Sequence, residues 1–299
     1  MPTRWSLTTT LAITGTVAAT PERGFVKVRS HFTDDLDSLY EQVMNLRTDG
    51  GDEYVGWTLD TAVTQLEWST SGNAAKILFV AGNESADQAR EVHDFRTVAS
   101  EARERGIVIN ALFAGDREQG IRELWQAVAE AGGGMYTAID QAAATHQLAA
   151  PQDDQLQRLN VALNKTYVGY GARGAEGKAN QVRQDTNTVA VGAGTANTRT
   201  AFKASGSYSN TYWDVVDGVK AGKLNLKKVR ESDLPKAMRK LSAEEREAYV
   251  KKLEAERAEI QAQIDEISKK RARYLKKKAK VAGDGGLDEA MSEALDEQL

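Results

Sequence analysis

Apolar residues in the first half of the chain recur first at the spacing of a strand and then at that of a helix. Residues 25–29 alternate as in a strand. An amphipathic helix follows, beginning at Asp35 and stopped by Gly50. Its apolar residues lie three or four positions apart and are Leu36, Leu39, Tyr40, Val43 and Met44.

The alternation of strand and helix continues to residue 139. The uninterrupted apolar run 77–81 is typical of a central parallel strand. This order predicts an α/β fold with a doubly wound, mainly parallel sheet and helices on both faces. The remaining predicted elements are a helix with Trp57 and Leu66 on its buried side, a helix at 87–105, a strand at 107–113, a helix through Trp125 that ends at the glycines 132–134, and a strand at 135–139.

The first 23 residues allow two interpretations. Arg4 followed by a short apolar stretch resembles a signal peptide cleaved after Ala19. Alternatively, Leu11, Ile13 and Val17 alternate with threonines, as in a strand. The many threonines favour the strand. We expect residues 8–17 either to fill an edge or central position in the sheet or to leave that position open.

Beyond Pro151 the pattern becomes helical. A helix is predicted at 152–165, then a glycine-rich stretch at 167–177, then a helical stretch at 179–205 broken near Gly192. Trp213, flanked by Val215 and Val216, is the strongest apolar anchor of this region. We expect these three residues to dock the tail on the sheet domain.

A single long helix is predicted from Leu241 to Lys280. Ser242 and Glu245 have the spacing of a capping box, and no Gly or Pro interrupts the following residues, which gives a length of about 57 Å. The narrow apolar stripe predicts a helical hairpin or a short coiled coil, and so possible self-association through 241–280. The stripe consists of Tyr249, Leu253, Ile260, Ile264, Ile267 and Tyr274.

The end of this helix is basic, and an acidic tail follows it. Phosphate contacts of nucleic acid or anionic lipid are one use for such a basic segment. The other interpretation, which we favour, is a solvated helix end where cations complement the dipole. The domains predicted from all these patterns are an N-terminal segment at 1–23, an α/β domain at 24–149, a connecting region at 150–233, the long charged helix at 234–281 and an acidic flexible tail at 282–299.

Composition removes most enzyme classes. The chain has 299 residues, a net charge of -4, no cysteine and three histidines. Thiolate chemistry is therefore excluded, and three scattered histidines argue against a His-rich metal site or a Ser-His-Asp triad. No Gly-rich motif stands between a strand and a helix as a nucleotide site requires. Acidic pairs such as Asp34-Asp35 lie at helix starts, and His93 fits an ordinary half-buried histidine. We predict no catalytic residues, no transmembrane span and a protein that is not an enzyme.

Several segments together resemble the von Willebrand factor type A domain, in particular bacterial proteins that join this domain to a helical tail. In the first half the resemblance rests on 50–57, 76–83, 102–110 and 124–136, and in the second half on 159–167, 212–217 and 234–235. The resemblance implies a Rossmann-like α/β domain and export to the bacterial envelope.

The resemblance also implies a metal-ion-dependent adhesion site at the carboxyl ends of the strands, where oxygen ligands hold Mg²⁺. This chain lacks the Asp-x-Ser-x-Ser element of that site, so the first strand of the domain is missing or altered. In the second loop, Asp52 and Glu53 replace the expected Thr, and in the third loop Asn83 and Glu84 replace the expected Asp. Asp52, Glu53 and Asn83 remain candidate ligands of a degenerate site, although helix capping explains the same residues without a metal.

These observations predict a non-enzymatic protein-recognition, adhesion or scaffold module. Its candidate partner-binding residues are Asp52, Glu53, Asn83 and Glu84, and the identity of the protein partner is not encoded in the pattern. The alternative is binding of a polyanion, either nucleic acid or an anionic membrane surface, through the basic end of the long helix. Nucleic acid is the less favoured partner because the chain as a whole is slightly acidic.

Overall fold

The structure is a computed structural model that describes residues 9–13, 26–46, 54–88, 90–139, 149–282, 295 and 298. The chain forms two compact units. We call the first the sheet unit; it comprises Thr9–Thr33, Asn45–His146 and Gly283–Leu299. We call the second the helical unit; it comprises Met1–Thr8, Asp34–Met44 and Gln147–Ala282.

The sheet unit contains five strands and four helices among its described residues. In chain order they are β1 (Thr9–Ile13), β2 (Lys27–Thr33), α2 (Val55–Gln65), β3 (Lys76–Gly82), α3 (Phe95–Glu104), β4 (Ile107–Ala114), α4 (Arg117–Arg122), α5 (Trp125–Gly132) and β5 (Gly133–Ile139). Helix α1 (Leu36–Met44) belongs to the helical unit. The predicted sheet domain at 24–149 therefore differs from the observed unit, because α1 packs against the helix Gly174–Val191 of the helical unit, which we label α7.

A three-stranded parallel sheet in the order β3-β4-β5 forms the centre of the sheet unit. Ile107, Ile109, Ala111 and Phe113 of β4 share one face and are buried in a cluster with residues of α2, α3 and α5. The predicted parallel sheet flanked by helices is thus confirmed. The described helices of this cluster meet one face, and the second helical layer of a doubly wound sheet stays a prediction.

Strands β1 and β2 form a separate two-stranded antiparallel sheet. The N-terminal strand predicted from the threonine alternation exists at Thr9–Ile13, but it pairs with β2 rather than with a strand of the parallel sheet. Its threonine-rich, alternating sequence suits such an antiparallel pair, whereas a central parallel strand is apolar on both faces.

A backbone break replaces the continuous helix expected around Trp125. Leu124 adopts a left-handed conformation with φ of 69°, and it separates α4 from α5. The tight turn after α5 uses Gly133, whose φ of 72° suits a residue without a side chain. The predicted helix at 87–105 is likewise shorter, because Asp94 caps its start by accepting a hydrogen bond from the Arg96 backbone N–H.

The helical unit contains α1 and five further helices among its described residues. These are α6 (Asp153–Lys165), α7 (Gly174–Val191), α8 (Ala193–Ala204), α9 (Val215–Lys220) and α10 (Ala243–Ala282), with short 3₁₀ turns at Glu231–Asp233 and Lys236–Met238. The predicted helices at 152–165 and at 179–205, with the break at Gly192, are found here.

The predicted capping box opens α10. The Ser242 backbone N–H donates to the Glu245 carboxylate at 2.7 Å, and the Glu245 backbone N–H donates to the Ser242 hydroxyl at 3.2 Å. Ile260, Ile264 and Ile267 of the apolar stripe are buried against residues of α6. These three isoleucines are therefore covered within their own unit, and self-association through 241–280 stays a prediction.

The anchor residues have a different role from the predicted one. Trp213 is buried with Ile260 and Ile264, and Val215 and Val216 are buried with residues of α10 in a second cluster. All three lie in cores of the helical unit itself, so the expectation that they dock the tail on the sheet domain is wrong. No helix in the described ranges is long and apolar enough to cross a membrane.

Candidate recognition edge of the parallel sheet

The carboxyl ends of β3 and β4 form one edge of the parallel sheet. Gly82 at the end of β3 lies in register with Phe113 near the end of β4. The residues that leave this edge are Asn83 and Glu84 after β3, and Asp116 after β4. Ligands of open α/β sheets bind at such an edge, because the chain there turns from strand to helix and presents polar groups. We call these loops the carboxyl edge.

The loop after β3 is fixed by a fully buried tryptophan. The Trp125 indole Nε1–H donates to the backbone carbonyl of Glu84, with an N···O distance of 2.6 Å. The Ala86 backbone N–H donates to the carbonyl of Glu123 at 2.9 Å. Asn83 is exposed and Glu84 half-buried. The backbone of this loop is therefore held by the core while its polar side chains reach the surface.

Two carboxylates, those of Glu84 and Asp116, define the chemistry of the edge. The Glu84 carboxylate accepts a hydrogen bond from the Gln88 side-chain amide at 2.8 Å. The Asp116 carboxylate caps α4 by accepting from the Gln119 backbone N–H at 3.0 Å. Both carboxylates thus have internal donors, and neither has a nucleophile or a general base beside it in the described contacts. The arrangement suits hydrogen bonding to a partner.

The tie between Trp125 and Glu84 gives a testable expectation. Replacing Trp125 with phenylalanine removes the donor and leaves a gap in the core, which we expect to cost about 2 kcal/mol of unfolding free energy. Urea unfolding measures this loss, and backbone hydrogen exchange at 83–88 should become faster. The matched control is Trp68→Phe, which removes an indole donor to the Ala62 carbonyl elsewhere in the unit. Equal exchange at 83–88 in both variants would show that the hydrogen bond from Trp125 to Glu84 does not hold this loop.

The predicted site residues are only partly placed. Asn83 and Glu84 lie together at the carboxyl edge, whereas Asp52 and Glu53 fall outside the described residues. Within the described ranges, no three His, Asp or Glu side chains are close enough together to hold a metal ion. His93 is half-buried, with Nδ1 3.9 Å from an Asp60 oxygen and its ring edge-on to Trp57.

Three cations near the basic end of α10 pair with acids. Lys269 pairs with Asp265 at 2.7 Å and Lys270 with Glu266 at 2.6 Å, each one helical turn apart. Arg271 binds the partly buried Asp153 at 2.7 Å. These pairs reduce the charge that these three residues offer to a polyanion, and polyanion binding through this segment stays a prediction.

Two buried ionic networks in the helical unit were missed by the sequence interpretation. In the first, Asp185 accepts from Arg199 at 2.6 Å and from Lys203 at 2.7 Å. Arg199 also donates to Asp37 at 2.6 Å, and Tyr208 donates to the same carboxylate at 2.5 Å. Burial lowers the pKa of Lys203 to about 8. The network joins α1, α7 and α8 through charged groups instead of apolar ones.

The second network surrounds Arg257 of α10. Its guanidinium donates to Asp214 and Asp217, each at 2.9 Å, and to the side chain and backbone carbonyl of Thr166. The ring of Tyr167 lies 3.8 Å from the guanidinium carbon, and burial raises the pKa of this tyrosine. Arg257 occupies a position of the apolar stripe, four residues after Leu253 and three before Ile260, and this is the one sequence signal that could have revealed the network.

Comparison of the chain with protein-family models, with curated proteins and with solved structures finds no match. The similarity to the type A domain thus remains a resemblance in sequence motifs, and the function has to be inferred from the site.

Proposed function

We propose that the protein is a non-enzymatic recognition module that binds a protein partner at the carboxyl edge. Asn83 and Glu84 are the proposed contact residues. The observation that supports this most is the hydrogen bond from the buried Trp125 indole to the Glu84 backbone carbonyl, because it fixes the backbone that carries the Asn83 and Glu84 side chains. A loop held by a rigid scaffold loses little conformational entropy on binding, which favours recognition.

The chemistry of the edge suggests the kind of group that the partner presents. Glu84 offers carboxylate oxygens, and Asn83 offers an amide that both donates and accepts. A partner surface with lysine, arginine or backbone N–H groups complements this edge. A specific interface buries about 1,200–2,000 Å² in total, so the two residues give the contact its orientation and neighbouring loop surface supplies the remaining area.

A metal ion is not required by this proposal. Among the described residues, Asn83 and Glu84 provide two oxygen-bearing side chains, and the Glu84 carboxylate already accepts from Gln88. Magnesium prefers an octahedral set of oxygens, so this pair alone fits it poorly. We expect calorimetry to show no saturable Mg²⁺ binding at millimolar concentration. Saturable binding that Glu53→Ala or Asn83→Ala abolishes would establish a metal-assisted contact instead.

Affinity isolation with charge-reversed variants tests the recognition surface. Glu84→Arg reverses a charge at the carboxyl edge. Glu101→Arg reverses an exposed charge on α3, close to Arg105, whose carbonyl accepts from Lys76 at the opposite end of β3. Proteins recovered by the wild type should be recovered by Glu101→Arg and lost by Glu84→Arg. Equal recovery by both variants would overturn the proposal.

A further inference from the structure

Asn110 is an unusual residue for its position in the sheet. It lies in the middle of β4, the central strand, and only 1% of its surface is exposed. Its sequence neighbours Ile109 and Ala111 point into the cluster with α2, α3 and α5, so Asn110 points to the opposite face. Its Oδ1 accepts from the Met135 backbone N–H of β5 at 2.8 Å. The second face of the sheet therefore carries a buried amide.

The partner of this amide comes from the end of the chain. The Asn110 side-chain N–H donates to the Gln298 side-chain oxygen Oε1 at 3.1 Å, and the Gln298 side-chain N–H donates back to Asn110 Oδ1 at 2.8 Å. Leu295 and Gln298 both have helical backbone and are partly buried. Residues three apart share one face of a helix. The two described residues of this segment are therefore helical, whereas the sequence predicts a flexible tail at 282–299.

The sequence before Gln298 has the pattern of an amphipathic helix. Leu287, Met291, Leu295 and Gln298 are spaced by four, four and three residues, which places them on one helical face. The acidic residues occupy other positions and are Asp288, Glu289, Glu293, Asp296 and Glu297. An apolar helix face that ends in a glutamine complements a sheet face that carries one asparagine.

We propose that the second face of the parallel sheet is a docking surface for an amphipathic helix, and that residues 283–299 of this chain are its occupant. Burial of an unpaired amide is costly, whereas the reciprocal pair satisfies both side chains. Because apolar contacts tolerate sliding, the pair between Asn110 and Gln298 also sets the register of the helix, as a buried asparagine does in coiled coils. The sheet unit is then completed by the C-terminal segment.

Hydrogen exchange of the full-length chain tests this assignment. We expect Gln298→Ala and Leu295→Asp each to speed backbone exchange of 107–114 at least about tenfold, because each removes contacts from the docked face. Glu293→Ala is the matched control, since helical spacing places Glu293 on the opposite side of the segment. Exchange in this control should equal that of the wild type. Unchanged exchange in the first two variants, or equal acceleration in all three, would overturn the proposal.

Discussion

Replacing Arg257 with methionine is expected to lower the free energy of unfolding of the helical unit by about 3–5 kcal/mol. The change leaves Asp214, which is fully buried, without its countercharge. It also removes the donors to Asp217 and Thr166. A domain is stable by only about 5–15 kcal/mol, so the loss is a large fraction of the total. Urea unfolding monitored by circular dichroism measures it.

Two variants control this prediction. Lys252→Met removes an exposed charge from the same helix and should change stability by no more than about 0.5 kcal/mol. Arg257→Lys keeps the positive charge but lacks the planar guanidinium whose N–H groups reach Thr166 and both aspartates. We therefore expect an intermediate loss of unfolding free energy. If Arg257→Met unfolds at the same urea concentration as Lys252→Met, the network does not hold the unit together.

The second large effect is expected from Asp185→Asn. Burial alone raises the pKa of Asp185, but the charges of Lys203 and Arg199 outweigh burial and hold the pKa below its usual range. The ionised carboxylate thus stabilises the folded state above about pH 4 and loses this effect as the pH falls through its folded pKa. In the variant, the fully buried Lys203 keeps only amide partners. We expect a loss of about 3 kcal/mol at pH 7.

The unfolding free energy measured below about pH 4 provides an independent check of the role assigned to the Asp185 carboxylate. Wild-type stability should fall as the pH drops below about 4, and the difference between wild type and Asp185→Asn should shrink there, because the carboxylate becomes protonated. Asp154→Asn is a suitable control, since Asp154 is exposed in the first turn of α6. A difference that stays constant from pH 7 to pH 3 would contradict the assigned role.

Local patterns were sufficient to predict most elements of the fold. The run at 77–81 became β3, the capping box at Ser242 opens α10, and the break near Gly192 separates α7 from α8. Each of these signals arises within a few residues of the element that it specifies. Long-range pairing has no such signal, so the partner of β1 and the unit to which α1 belongs could not be predicted.

The candidate site was predicted only as a location. The position of Asn83 after an apolar strand was enough to place it at the carboxyl edge. The tie from Trp125 was not predictable, because 41 residues separate Trp125 from the carbonyl that it binds. The buried networks were missed for the same reason: Asp37 and Arg199 lie 162 positions apart and look like ordinary surface charges in sequence.

The decisive measurement is site-specific photo-crosslinking of the full-length protein. A photoreactive phenylalanine is placed at position 83 in one variant and at position 101 in another, and covalent products are identified by mass spectrometry. Recognition at the carboxyl edge predicts a defined protein adduct from position 83 that is absent from position 101 and that Glu84→Arg abolishes. The same adducts from both positions, or an adduct from position 101 alone, would contradict recognition at this edge.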